Sequence, residues 1–204
     1  MARNPLGLAS EAFPLVLLGG TGVGVWRALT QGSPTLLLGS VAALYLLPPL
    51  LHRLHDRIWP LEAGVYDVVG PHYLPWWGSH QLQRVFITFP VLEATLRLVP
   101  AVYSAWLRLW GAKVGRQVTW TPAVQILDRS LLDIGDRVVF GHAAGLTSHV
   151  ITRRKGRLRL LVKPITIGDG ALIGSQCGIG PGAVIKPGAV VPVRGEVHIG
   201  QVVE

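Results

Sequence analysis

The chain has 204 residues, half of them hydrophobic and only 15% charged, with a formal net charge of +8. That length holds one domain and an appendage, and so low a charge content excludes an ordinary water-bathed surface over the whole chain, pointing instead to membrane contact. A single cysteine, Cys177, excludes an intramolecular disulfide framework. The positive balance suits an anionic partner; nucleic acid is set aside, because the basic residues are not interleaved with base-stacking aromatics.

Two apolar stretches come first, Ala12 to Trp26 and Pro34 to Leu51. Taken to Leu29, the first has about the length of a membrane-crossing helix, and the second, about 18 residues, is at the lower limit. Gly32, Ser33 and Pro34 supply a turn between them, so residues 1–58 are expected to form a transmembrane helical hairpin. Gly20 and Gly24 form a small-xxx-small pair for close packing. A cleaved signal peptide is the alternative for the first stretch, but its n-region holds only Arg3 and no small-x-small site follows the apolar run. His52, Arg53, His55 and Arg57 come after the second stretch, against Arg27 alone near the connector. The positive-inside rule then places the remainder of the chain on the cytoplasmic side.

Residues 59–110 are expected to be a connector and an amphipathic interfacial helix. Trp76 and Trp77 suit either the headgroup level or ordinary packing under a loop. From 81 to 110, Tyr103, Trp106 and Trp110 fall on one helical face, and Arg97 and Arg108 share another. Pro100 should bend this helix or split it. Two compatible roles follow: lying in the plane of a membrane interface, or covering the open end of what comes next.

Residues 111–204 carry a six-residue period. Ile167, Ile173, Ile179, Ile185 and Val191 recur every six positions, the first three each followed by glycine, with Ala171, Cys177, Ala183 and Ala189 as the small residues between. The phase runs back through Ile134, Phe140 and Leu146, and more loosely to Val114, Trp120, Ile126 and Leu132. Six residues suit one face of a triangular coil, with the aliphatic side chain inward and glycine at the corner, and three faces make one turn of a parallel β-helix. Cys177 falls on an inward position, which gives it a structural role. After Val191 the phase is expected to loosen.

The strings "DIGDRVVFGHAAGLTSHV" and "KPITIGDGALIGSQCGIGPGAVI" resemble the hexapeptide-repeat acyltransferases, such as the galactoside, serine and polysaccharide O-acetyltransferases. The resemblance covers roughly residues 110 to 195. It implies an all-β, left-handed parallel β-helix in the C-terminal half, a homotrimer with sites between subunits, and acyl-CoA (acetyl-CoA) as donor substrate with no permanently bound cofactor. The acceptor would be a hydroxyl or amine of a glycan, a lipid or another amphipathic molecule. An inactive scaffold or binding module at the membrane is the alternative.

In the resembled enzymes a histidine just before a loop excursion is the general base. Here "LTSH" ends at His149, a basic excursion spans about Thr152 to Lys163, and the repeat resumes at Pro164. Imidazole titrates near neutrality, so His149 can take a proton from an attacking hydroxyl or amine. His142, in the middle of a hexad face, is the rival or supporting residue. Asp128, Asp133 and Asp136 are candidates to orient the imidazole, although aspartate beside glycine is ordinary corner chemistry. For the donor the resemblance indicates Ser175, Gly182, Lys186 and Arg194. Arg153, Arg154 and Arg157 lie in the excursion and would draw in an anionic acceptor. No metal is expected, since no histidine or cysteine cluster has ligand spacing.

Overall fold

The structure, a computed structural model, describes residues 5–70 and 72–204, so Arg3 and Pro71 lie outside the described residues. Contacts divide the chain into two units, Met1–Leu61 with Gly70–Val85, and Glu62–Val69 with Phe86–Glu204.

The first unit holds helices α1 (Pro5–Glu11), α2 (Phe13–Gln31), α3 (Pro34–Ile58) and most of α4 (Pro75–Thr88). α2 stops at Gly32, whose left-handed φ of 61° a glycine adopts freely, and the Ser33 side chain then accepts from the Leu36 N–H at the start of α3. At Gly24 an added Cβ would lie 2.2 Å from the Ser40 hydroxyl, so α2 and α3 approach closely there; Gly20 has open space beside it and takes no part. Residues 5–31 and 34–58 each contain an 18-residue stretch, of mean hydropathy 1.4 and 1.7 respectively, and are long and apolar enough to cross a membrane.

Of the basic residues at the end of α3, His52 is buried and bonded to the Ser79 hydroxyl at 2.9 Å, and His55 bonds the Tyr73 hydroxyl at 2.7 Å. That leaves Arg53 and Arg57 exposed. Trp76 is buried and stacks on His80 at 5.0 Å.

In the second unit, the amphipathic stretch expected over 81–110 is split at Pro100, as expected, and also at Pro90, giving the end of α4 followed by α5 (Val91–Arg97) and α6 (Pro100–Trp110). Pro90 and Pro100 lack the N–H that a continuous helix needs, and α5 and α6 each begin at one of them. Arg97 and Arg108 therefore share no face; Arg97 is buried on α5, while Arg108 on α6 is exposed and donates to the Val114 and Gly115 carbonyls. The aromatic face of α6 is buried against the following strands. Tyr103 meets Trp120 edge-on at 5.0 Å, the Trp120 indole N–H donates to the Ser104 hydroxyl at 2.9 Å, and Trp120 stacks on Phe140 at 4.5 Å. Covering an open strand edge accounts for the burial of these tryptophans.

The chain then visits three parallel sheets in rotation. The first sheet takes β2 (Lys113–Val114), β4 (Leu132–Ile134), β9 (Ile165–Ile167), β12 (Val184–Ile185) and β15 (Val202–Val203). The second takes β5 (Val139–Phe140), β10 (Leu172–Ile173) and β13 (Val190–Val191), with Thr119 bridging to Val139. The third takes β3 (Gln125–Ile126), β6 (Gly145–Leu146), β11 (Gly178–Ile179) and β14 (Glu196–Val197). Each inward aliphatic residue sits beside its counterpart one turn away, as Ile167 does beside Ile185 and Ile173 beside Val191. The small residues between, Ala171, Cys177, Ala183 and Ala189, are all buried, which suits a core too narrow for larger side chains. The phase does not loosen after Val191: Val197 and Val203 continue it, paired with Ile179 and Ile185.

The glycine after each inward residue does something other than turn the chain. A Cβ on Gly141 would lie 2.5 Å from the Ser175 N, and one on Gly174 would lie 2.6 Å from the Val193 N, so the glycines let successive corners stack. The left-handed residue of each corner comes two places later and is often not glycine, as at Arg137, Ala143, Gln176 and Arg194.

One corner, between the third and first sheets, breaks the period twice. Its first passage, from Ile126 to Leu132, carries a short 3-10 turn at Arg129–Leu131. Its second passage leaves as β7 (His149–Arg154) and returns as β8 (Arg157–Val162), so the basic excursion is an antiparallel hairpin. β1 (Gly64–Asp67), from the stretch expected to be an irregular connector, adds to β8 as a third strand.

Candidate active site

Both irregular passages of that corner converge on one carboxylate. Asp128, 2% exposed, accepts the Ser148 N–H at 3.0 Å and bonds His149 Nδ1 at 2.7 Å through the same Oδ2. Ser148, also buried, donates its hydroxyl to the Leu131 carbonyl at 3.3 Å and ties the two passages together. Of the three aspartates considered, Asp128 is thus the partner of His149. Asp136 instead accepts the Arg116 N–H at 2.6 Å, which is corner chemistry, and Asp133 pairs with Lys113 at 3.2 Å. With Nδ1–H donated to a carboxylate, the imidazole's basic lone pair is on Nε2. The His149 side chain is 13% exposed, which leaves it within reach of a ligand while its partner is sealed from water.

The residue after Asp128, Arg129, enters a buried ionic cluster without any periodic signal. Glu93 on α5 accepts at Oε1 from Arg129 Nε at 2.6 Å and from Arg129 Nη2. Its Oε2 accepts from Arg97 Nη2 and from the Tyr103 hydroxyl at 2.8 Å. Arg97 Nη1 also donates to the Pro122 carbonyl. The Arg129 guanidinium lies 5.7–5.8 Å from the rings of Phe86, Trp106 and Trp110, close enough for cation–π attraction. Burial first, and then the Glu93 carboxylate, push the Tyr103 phenol well above its ordinary range, with the two arginines opposing.

The other expected site residues fall in several places. His142 is exposed on the corner turn after Gly141, at the opposite end of the β6 face from His149, and does not sit beside it on an adjacent strand. It stacks in a column with two donor candidates: its carbonyl accepts the Gln176 N–H at 2.7 Å, and the Ser175 carbonyl accepts the Arg194 N–H at 2.8 Å. Gly182 lies at the root of the hairpin, its N–H on the Lys163 carbonyl at 3.3 Å. Lys186 begins a third corner and pairs with Glu204 at 2.6 Å. The donor set is therefore divided among three corners.

Strand register also sorts the hairpin arginines. His149, Ile151 and Arg153 share one face of β7, the face that continues through buried Leu160 and Val162. Arg154 and Arg157 pair with each other on the opposite face. Four residues of strand put Arg153 about 13 Å from the imidazole.

Three features were missed from the sequence. Glu93 and Arg129 gave no signal, because a pair far apart in the chain leaves no local pattern. β1 was hidden in a stretch of prolines and aromatics. Gly145 and Gly178 are register neighbours at outward positions of β6 and β11, and the Glu196 carboxylate from β14 lies over Gly178. A cavity of about 520 Å³ bounded by Val99, Ser104, Arg108 and Arg116 lies on α6 and the first coil, and none of the site residues lines it. Among the described residues, no group of three or more histidine, cysteine, aspartate or glutamate side chains is gathered to hold a metal ion.

No family model and no curated protein sequence matches the chain. Among solved structures it is similar to a hexapeptide-repeat-containing acetyltransferase from Vibrio cholerae O1 biovar eltor complexed with acetyl coenzyme A, with 22% identity, 54% of this chain and 79% of that one covered, and a TM-score of 0.39. It is similar to a galactoside acetyltransferase in complex with coenzyme A, with 18% identity, 55% and 74% covered, and a TM-score of 0.38. A third similarity is to a maltose O-acetyltransferase from Clostridium difficile 630, with 16% identity, 59% and 82% covered, and a TM-score of 0.34.

Proposed function

We propose that this chain is a membrane-associated acyltransferase that moves an acyl group, most simply acetyl, from acyl-CoA to a hydroxyl or amine of a glycan, lipid or other amphipathic acceptor. The observation that carries the reading is the His149–Asp128 pair, a partly exposed imidazole held by a buried carboxylate at 2.7 Å. His149 Nε2 takes the acceptor's proton as its oxygen or nitrogen attacks the thioester carbonyl. Asp128 stabilises the imidazolium that forms. The tetrahedral intermediate collapses with cleavage of the C–S bond, and the imidazolium returns the proton to the leaving thiolate. A backbone N–H of a neighbouring coil serves the oxyanion.

The absence of a side chain at Gly145 on the β6 face supports a slender donor arm there, since a pantetheine chain needs close approach more than large side chains, with the Glu196 carboxylate over Gly178 bounding the path. Ser175 and Arg194 at one end of that face, with Gly182 and Lys186 on neighbouring corners, are the donor residues in this reading, the cations meeting its phosphates. Arg153, with Arg154 and Arg157 behind it, recruits the anionic part of the acceptor.

In this reading residues 1–58 anchor the chain, 59–110 connect and cap, and 111–204 form a left-handed β-helix with the site facing the cytoplasm, where Arg53 and Arg57 would lie. The homotrimer carried by the resemblance is supported by the outward ladder of Val139, Leu172 and Val190, each more than a third exposed on one flat sheet.

The test is acyl transfer by purified protein from acetyl-CoA to a panel of glycan, lipid and amine acceptors. His149→Ala is expected to lower the rate about 10²–10⁴-fold, the usual worth of a general base, and Asp128→Asn to lower it through the wrong tautomer. Undiminished transfer by His149→Ala removes the base; no thioester turnover with any acceptor favours a scaffold or binding module.

A further inference from the structure

We propose that Glu93, on a helix outside the repeat, is the positioning residue that holds the His149–Asp128 pair in register. The proposal rests on the reading of His149 as the base. Asp128 lies on a passage of the corner that is irregular and cannot be placed by the sheet ladders alone. Besides the backbone bond of Leu127 to Leu146 and the Ser148 bonds to Asp128 and Leu131, that passage is held by the next side chain, Arg129, which is 1% exposed and reaches out of the coil to Glu93. Two Arg129 donors converge on one Glu93 oxygen, and three rings surround the guanidinium, so the fork has little freedom to turn.

The charges explain why Glu93 should matter to chemistry and not only to folding. Within the cluster, the Arg97 and Arg129 guanidiniums face a single carboxylate, and a buried cation must be partnered. Asp128, engaged by Ser148 and His149, is adjacent to Arg129 in the chain. While Glu93 holds Arg129, Asp128 Oδ2 is kept for the Ser148 N–H and the His149 imidazole. Removing the Glu93 charge leaves Arg129 seeking another carboxylate, and Asp128 would turn to it. The imidazole then loses the partner that sets its tautomer and supports its positive charge.

The test follows the low-field proton resonance of a histidine Nδ1–H bonded to carboxylate, recorded on the full chain in detergent well below its unfolding temperature. This readout needs no acyl transfer. Glu93→Gln and Arg129→Lys are each expected to abolish the resonance, and to lower kcat about ten- to a hundredfold with the KM for acetyl-CoA unchanged. Arg97→Lys loosens the same carboxylate at its other oxygen and is expected to keep the resonance at a lowered Tm. If Glu93→Gln does not fold, Arg129→Lys, which keeps the charge and loses the fork, carries the test. Persistence of the resonance in Arg129→Lys, its absence from the unaltered chain, or its loss from all three variants in proportion to Tm overturns the proposal. A resonance that behaves as expected in a protein that transfers no acyl group to any acceptor would overturn the acyltransferase reading and leave the positioning role standing.

Discussion

Tyr103 hides its hydroxyl completely while donating it to an ionised carboxylate, a placement that binds stability to alkaline pH. Its phenol titrates above the ordinary value of about 10 in the folded chain. The unfolded chain releases this proton first, so the stabilisation is fully present below about pH 10 and is lost as pH rises from there towards the folded value. Denaturant unfolding between pH 8 and 11 should show that slope, and Tyr103→Phe should flatten it while costing roughly 1.5–3 kcal/mol at neutral pH for the lost bond to a charged partner. An unchanged alkaline slope in the variant would assign the loss to other groups. The same cluster shows what one residue can do beyond its element. Glu93 belongs to α5, Arg97 to its last turn, Tyr103 to α6 and Arg129 to the coil, and together they join cap to site.

Among the elements, the corner is where sequence and structure part most usefully. An inward aliphatic residue followed by glycine reads as a turn, and the turn is there, but the glycine serves the stacking of corners and the left-handed residue lies two places on. Opposite outcomes at neighbouring positions follow. Gly141→Ala pushes a methyl against the Ser175 N of the next coil and should destabilise by about 1–3 kcal/mol, the usual cost of overpacking. Ala143→Gly relieves a φ of 56° and should stabilise by roughly 1 kcal/mol. Thermal unfolding of the two variants against the unaltered chain decides both. The hairpin makes a third contrast: Arg153→Glu, on the His149 face, should raise the KM for an anionic acceptor about tenfold, and Arg154→Glu, on the reverse face, should raise it less. Equal effects would mean that the whole loop acts as a diffuse field.

For the whole molecule, the outward ladder at Val139, Leu172 and Val190 makes the assembly state testable. If the proposed homotrimer packs on that ladder, Leu172→Glu in its middle should convert a three-chain particle to a single chain in light scattering of the purified protein, because a buried unpaired carboxylate is not tolerated there, and a particle of unchanged size would remove the ladder as the interface. The coil itself was legible in the sequence because each inward position is a local choice repeated every six residues: Ile173 and Val191 can be matched without knowing the fold. The break at His149 was legible for the same reason, as a failure of that repeat. What could not be read was everything joined across the chain. Glu93 and Arg129 are 36 residues apart and follow no period; β1 finds its partner β8 from the far side of three helices. The tryptophans of α6 were readable as an apolar face with two compatible roles, interfacial or covering the open end, because a helical stripe does not say what covers it.

The two lengthened passages share a corner and leave all three ladders in register, with Ile134 still beside Ile167 across the hairpin. Chain added at this point costs the coil nothing in pairing, so the corner behaves as a socket. A different loop grafted between His149 and Val162 would inherit the Asp128 mount while presenting new side chains to the acceptor. In such a scaffold, under the proposed function, acceptor choice can be exchanged as a cassette while the His149–Asp128 pair stays where the coil put it.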